Sequence, residues 1–166
     1  MDSGRLLRLP PSVFDNVNTD LILAAKFLRV DESDLGRYAF DGVIEGFAER
    51  AATHPVLLAG ENFGCGSSRE QAPKALIRAG VRMILAQSYG YIFFRNAINL
   101  GLLVLRYSDR ERAAALETGG EVVVKNGGAT LVGPGGHELA LAPLGPPVTT
   151  ILAAGGLMAA LKAGLL

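Results

Sequence analysis

Val56-Leu57-Leu58-Ala59-Gly60-Glu61-Asn62-Phe63-Gly64-Cys65-Gly66-Ser67-Ser68-Arg69-Glu70 is the stretch on which the reading of this chain turns. An apolar run of strand length passes into a glycine-rich loop. The loop passes into a helical pattern carrying Ala72, Ala75, Leu76 and Ala79. Glycines let a backbone turn sharply and approach a ligand closely. A helix N-terminus then offers free N–H groups to an anion. Two hydroxyls and a guanidinium at that junction make a candidate site for a small carboxylate.

Outward from the loop, the pattern repeats. The spacing predicts a strand over 55–59, a helix over 72–80 stopped by Gly80, and a strand over 82–87. A second helix over roughly 90–100 stops at Gly101, and a strand over 102–106 follows. Strand–helix–strand–helix–strand with tight loops signals a parallel α/β unit. Upstream, Leu6-Leu7-Arg8-Leu9 is a short apolar segment broken by Pro10-Pro11, and Asp20 is a candidate cap for a short helix. Residues 31–50 read as short helices. Downstream, Asn126-Gly127-Gly128 between Glu121–Lys125 and Ala129–Val132 reads as a hairpin, and Glu138–Ala142 as a further strand. Residues 149–164 read as a helix or helix pair interrupted at Gly155-Gly156. The expected fold is α/β, a parallel core with an antiparallel β portion, in a single domain over residues 1–166.

Composition narrows the function. Hydrophobic residues make up 49% of the chain, which argues against disorder. Net charge is zero and no Lys/Arg run occurs, so nucleic acid is not an expected partner. No apolar run reaches membrane-spanning length, and no secretory leader is evident. The single cysteine, Cys65, excludes an internal disulfide and a metal site of four thiolates within the chain, and fits a reducing cytoplasm. Mean hydropathy of +0.30 suggests apolar surface covered by a partner.

Competing readings of the loop can be weighed. Ser67-x-x-Glu70 and Ser68-x-x-Gln71 both match a capping box, a purely structural role. Pro73 belongs in the first helical turn, which puts Ser67 to Glu70 in a preceding turn. A phosphate loop needs Gly-Lys-Ser/Thr, and Gly66 is followed by Ser67. A dinucleotide fingerprint needs a third glycine where Arg69 stands. Cys65 has no histidine near it in sequence to activate it as a nucleophile.

The run from Gly60 through Asn62, Gly64-Cys-Gly-Ser-Ser-Arg69 to Ala72-Pro73 resembles the signature of the 3-isopropylmalate dehydratase small-subunit family. That family is similar to the swivelling β/β/α domain at the C-terminus of aconitases. Asn18-Thr-Asp20, Ile92-Phe-Phe-Arg-Asn96, Asn99-x-Gly101 and Ile151–Leu157 extend the resemblance over nearly the whole chain. Departures are Gln71 where the family has histidine, Asn18 where it has aspartate, Ser88-Tyr89-Gly90 for Ser-Phe-Ala, and the Pro10-Pro11 insertion.

The resemblance implies a hydro-lyase that takes water from a hydroxy-dicarboxylate and returns it one carbon over, in leucine biosynthesis. It implies a large-subunit partner carrying a [4Fe-4S] cluster, with no metal on this chain. Ser67 matches the base, Arg69 a carboxylate clamp, and Ser68 with the Gly66 loop backbone an anion holder. Asp20 matches an acidic residue near the active site that orients a neighbouring basic group, beside its reading as a turn or cap. Arg29 falls in the segment that approaches the variable arm of the substrate. A carboxylate arm would want that cation, as in a homoaconitase small subunit of lysine biosynthesis, whereas Phe27-Leu28 suits an isopropyl arm. A carboxylate-binding module without turnover is the third reading.

Overall fold

The computed structural model describes residues 3–166. Seven strands form one closed barrel in the order β1-β2-β3-β4-β7-β6-β5. Strands β1 (Ser3–Arg8), β2 (Val56–Leu58), β3 (Met83–Ala86) and β4 (Leu103–Tyr107) run parallel to one another. Every residue of β2 and β3 is buried, as expected of short parallel strands covered on both faces. Strands β5 (Glu121–Lys125), β6 (Thr130–Val132) and β7 (Glu138–Ala142) form the antiparallel part. The exposed–buried alternation of β5 and β7 marks strands with one wet face.

The sequence reading expected the parallel and antiparallel parts side by side. Both parts are present, and two seams in addition close them into a barrel. Ser3, Gly4 and Arg5 of β1 pair antiparallel with β5, and Arg106 and Tyr107 of β4 pair with Ala142 and Leu141 of β7. Closure leaves no open sheet edge.

Helix α1 (Thr19–Ile22) follows β1, and α2 (Phe47–Thr53) precedes β2. Helix α3 (Gln71–Ala79) connects β2 to β3 and buries Ala72, Pro73, Ala75, Leu76 and Ala79. Gly80 ends it in the left-handed conformation, with its N–H on the carbonyls of Leu76 and Ile77. A 3-10 segment, Glu32–Tyr38, lies along α3, where Glu32 bridges Lys74 at 3.1 Å and Arg78 at 2.9 Å. Helix α4 (Tyr91–Asn99) connects β3 to β4. Helix α5 (Arg110–Ala114), capped by Asp109, is too short to show in the sequence pattern. Helices α6 (Val148–Ala153) and α7 (Leu157–Lys162) are separated at Gly155-Gly156 as expected. No helix among the described residues is long and apolar enough to cross a membrane.

Candidate active site

The loop between β2 and α3 is laced to two flanking segments. On one side, Gly60 N–H donates to the Phe14 carbonyl at 2.7 Å and Gly64 N–H to Val17 at 2.7 Å. Thr19 N–H donates back to the Cys65 carbonyl at 2.9 Å. On the other side, Asn62 N–H reaches Ser88 Oγ at 2.8 Å and Phe63 N–H the Ser88 carbonyl at 3.0 Å. Two parallel bridges result, Asn18 with Cys65 and Phe63 with Tyr89, which carry the sheet beyond the end of β2.

Asp15 fixes the start of the loop. Its Oδ1 accepts from Glu61 N–H at 2.7 Å and from Arg110 Nη1 at 3.0 Å, and its Oδ2 from Arg110 Nη2 at 2.6 Å. The Arg110 bonds hold the Asp15 carboxyl below its ordinary pKa, and slight burial opposes them. Gly64 sits at φ +75°, and a β-carbon there would lie 2.1 Å from Cγ of Phe93. The Phe93 ring, buried at the start of α4, packs edge-on to Phe63 with centroids 5.3 Å apart. Glycine therefore lets the loop lie directly on α4.

Past Gly66, at φ +96°, the three motif side chains separate. Ser67 is half-buried, with its Oγ 2.9 Å from Thr19 Oγ1 and its N–H donating to the same Thr19 oxygen at 3.1 Å. Ser68 is exposed, and its carbonyl accepts from Asn96 Nδ2 of α4 at 3.4 Å. The Arg69 guanidinium is paired with the Asp20 carboxylate; its side chain is 24% exposed.

The capping-box reading does not hold. Helix α3 is entered through Glu70, which makes no side-chain cap bond. Ser67 is turned to Thr19 instead, so the hydroxyls are not consumed by the helix. Asp20 is not a cap either. Asn18 is the N-cap of α1, its Oδ1 accepting from Leu21 N–H at 2.9 Å. An amide oxygen caps as well as a carboxylate does, so the asparagine at this position keeps the turn.

Arg29 is exposed, and no hydrogen bond or ion pair joins it to Ser67, Ser68, Arg69 or Asp20 among the described residues. Phe27 stacks on Tyr38 at 4.2 Å, and Lys26 covers its other side. Cys65 is half-exposed, while His137 is bonded to the Arg112 carbonyl and His54 sits at the end of α2. Thr19 and Asn96 were not singled out from sequence as site residues, although both lie within the motif segments that carry the resemblance.

A cleft of about 470 Å³ lies elsewhere, lined by Arg82, Leu103, Leu105, Val124 and Leu152. Leu103 begins β4, whereas the Ser67 loop follows the end of the parallel strand β2, so the two are at opposite ends of the barrel. Ser68 is exposed and Ser67 and Arg69 are partly exposed, so the loop reaches the surface. It offers a hydroxyl, a guanidinium and loop backbone.

Residues 38–111 match the model of the aconitase C-terminal domain. The chain is 39% identical over 146 residues to the 3-isopropylmalate dehydratase small subunit of Moorella thermoacetica, covering 87% of each. It is 49% identical over 92 residues, 55% of this chain, to the methanogen homoaconitase small subunit of Methanothermobacter thermautotrophicus. The crystal structure of 3-isopropylmalate dehydratase from Methanocaldococcus jannaschii superposes with a TM-score of 0.85 at 33% identity, covering 98% of this chain and 94% of that one. With this fold, this loop and relatives aligned over most of its length, the chain belongs to the family of 3-isopropylmalate dehydratase small subunits.

Proposed function

We propose that this chain is the small subunit of a two-subunit hydro-lyase that interconverts 2-isopropylmalate and 3-isopropylmalate by dehydration and rehydration, a step of leucine biosynthesis. The observation that carries this reading is the Ser67–Arg69 loop at the surface, with hydroxyl and guanidinium unspent on capping, in a chain of this family. One side of a site is what a subunit should present when its partner supplies the other.

Ser67 takes the proton from the carbon next to a substrate carboxylate. The carbon–hydrogen pair becomes the new double bond as the hydroxyl leaves from the neighbouring carbon. Rehydration reverses this with the two carbons exchanged, and Ser67 returns a proton. A serine hydroxyl is a weak base, so its deprotonated form needs oriented donors around it. Arg69 binds a substrate carboxylate through its planar fork. Its present partner, Asp20, holds the guanidinium in place until then and shares or yields it on binding. Ser68 and the backbone at Gly66 complete the anion contact.

The large subunit carries the [4Fe-4S] cluster, which when bound supplies Lewis-acid pull on the leaving hydroxyl. One cysteine in 166 residues cannot ligate such a cluster by itself. The unpaired Cys65 thiol fits a reducing, cytoplasmic setting.

The test is to combine the chain with a cognate large subunit under anaerobic conditions and follow unsaturated-intermediate formation from 2-isopropylmalate and from homocitrate. Turnover of 2-isopropylmalate only with the partner present supports the reading. Turnover of homocitrate alone would replace it with homoaconitase. That second reading is favoured by the exposed Arg29 and by the locally higher identity to a homoaconitase subunit.

A further inference from the structure

We propose that Thr19 is a positioning residue for Ser67, its hydroxyl a fixed donor that keeps the Ser67 oxygen an acceptor and favours its deprotonated form. This rests on the assignment of Ser67 as the base.

Tyrosine aside, Thr19 is the one polar side chain fully buried among the described residues, at 1% exposure. A threonine hydroxyl has one proton to give and two lone pairs to accept with. One lone pair takes the Ser67 N–H at 3.1 Å. The other contact among the described residues is Ser67 Oγ at 2.9 Å. If Ser67 donated in that contact, the Thr19 proton would be buried without an acceptor, which costs about 1–3 kcal/mol. Thr19 therefore donates and Ser67 accepts.

The direction has a chemical consequence. The proton on Ser67 is not held by Thr19, so it is lost without breaking the bond between them. When it is lost the bond becomes charge-assisted and roughly twice as strong. The donor is already aimed at the oxygen where charge develops, and needs no reorganisation during the reaction. The threonine is itself held: its N–H is on the Cys65 carbonyl at 2.9 Å, and Asn18 caps the helix it begins. Asp20, the next residue, would repel a serine alkoxide, and its pairing with Arg69 offsets that charge.

The experiment uses the complex with the cluster-loaded large subunit. Thr19→Val keeps the branched shape and removes the hydroxyl. It should lower kcat on the order of 100-fold, with KM unchanged, because the donor acts on the base rather than on bound substrate. Thr19→Ser restores the hydroxyl and should recover most of the loss. Should Thr19→Val fail to assemble, Thr19→Ala gives the same reading. An unchanged kcat overturns the proposal, as does loss of assembly in both variants, which would make the hydroxyl structural. Ser67→Ala, measured alongside, separates the two claims. Wild-type turnover in Ser67→Ala removes the base and with it the role of Thr19. Lost turnover there with full turnover in Thr19→Val removes the Thr19 inference alone.

Discussion

Asp20 engages one arm of the Arg69 guanidinium, through Nη1, so a carboxylate clamped by the proposed fork must share Arg69 with Asp20 or displace it. Lysine would keep the charge but lose the planar pair of donors. Arg69→Lys should raise KM by roughly 10-fold or more, the worth of a charged hydrogen bond, with a smaller effect on kcat. Steady-state kinetics of the assembled enzyme would show it; an unchanged KM would place the carboxylate elsewhere. Ser67→Ala should abolish turnover while leaving assembly intact, as judged by gel filtration with the large subunit. Asp15 makes a different prediction. Its pKa is lowered from 3.8 by Arg110, so the ion pair stabilises the fold above that value and is lost as pH falls through the lower folded value. The stability difference between wild type and Asp15→Asn should therefore be largest near neutrality and shrink below pH 3.8 in acid titrations followed by circular dichroism. At this scale the sequence displayed Ser67, Ser68, Arg69 and Asp20 as chemistry-bearing residues. Which atom faced which was not legible, because the Thr19–Ser67 and Asp20–Arg69 contacts join positions nearly fifty residues apart.

The elements were legible where apolar spacing was strong. Helices α3 and α4 and strands β3 and β4 fall within a residue or two of the expected spans, since each apolar stripe has one buried face to satisfy. The entry into α3 was not. Two serines match a capping box, yet the Ser67 hydroxyl is bonded to Thr19 and the helix starts only after Glu70, so the local signal lost to a tertiary contact. The five residues of α5 are too few for periodicity to speak. The loop itself depends on Gly64. Gly64→Ala adds a methyl 2.1 Å from the Phe93 ring at a left-handed backbone position. It should cost at least about 2 kcal/mol in urea unfolding. A variant as stable as wild type would mean that the loop does not lie on α4 as described.

Barrel closure was the part of the whole molecule that sequence could not show. The β1–β5 seam spans more than a hundred residues, and the β4–β7 seam rests on two residue pairs with no local signature. The surface around the candidate site is clearer. Tyr91 is 74% exposed and Ile92 47%, on the helix whose Asn96 touches the Ser68 carbonyl. Uncovered large side chains beside the candidate site suit a partner surface. Replacing both with serine should weaken association with the large subunit by roughly 10-fold or more in titration calorimetry. Turnover should return at excess partner, since neither residue is placed on the substrate.

In a ring of strands each one already has two neighbours. No edge strand is left for a partner to extend, so a companion is expected to grip side chains and turns. Assembly should then leave amide exchange in the seven strands as slow as before, with new protection confined to the 60–70 loop and the first turn of α4.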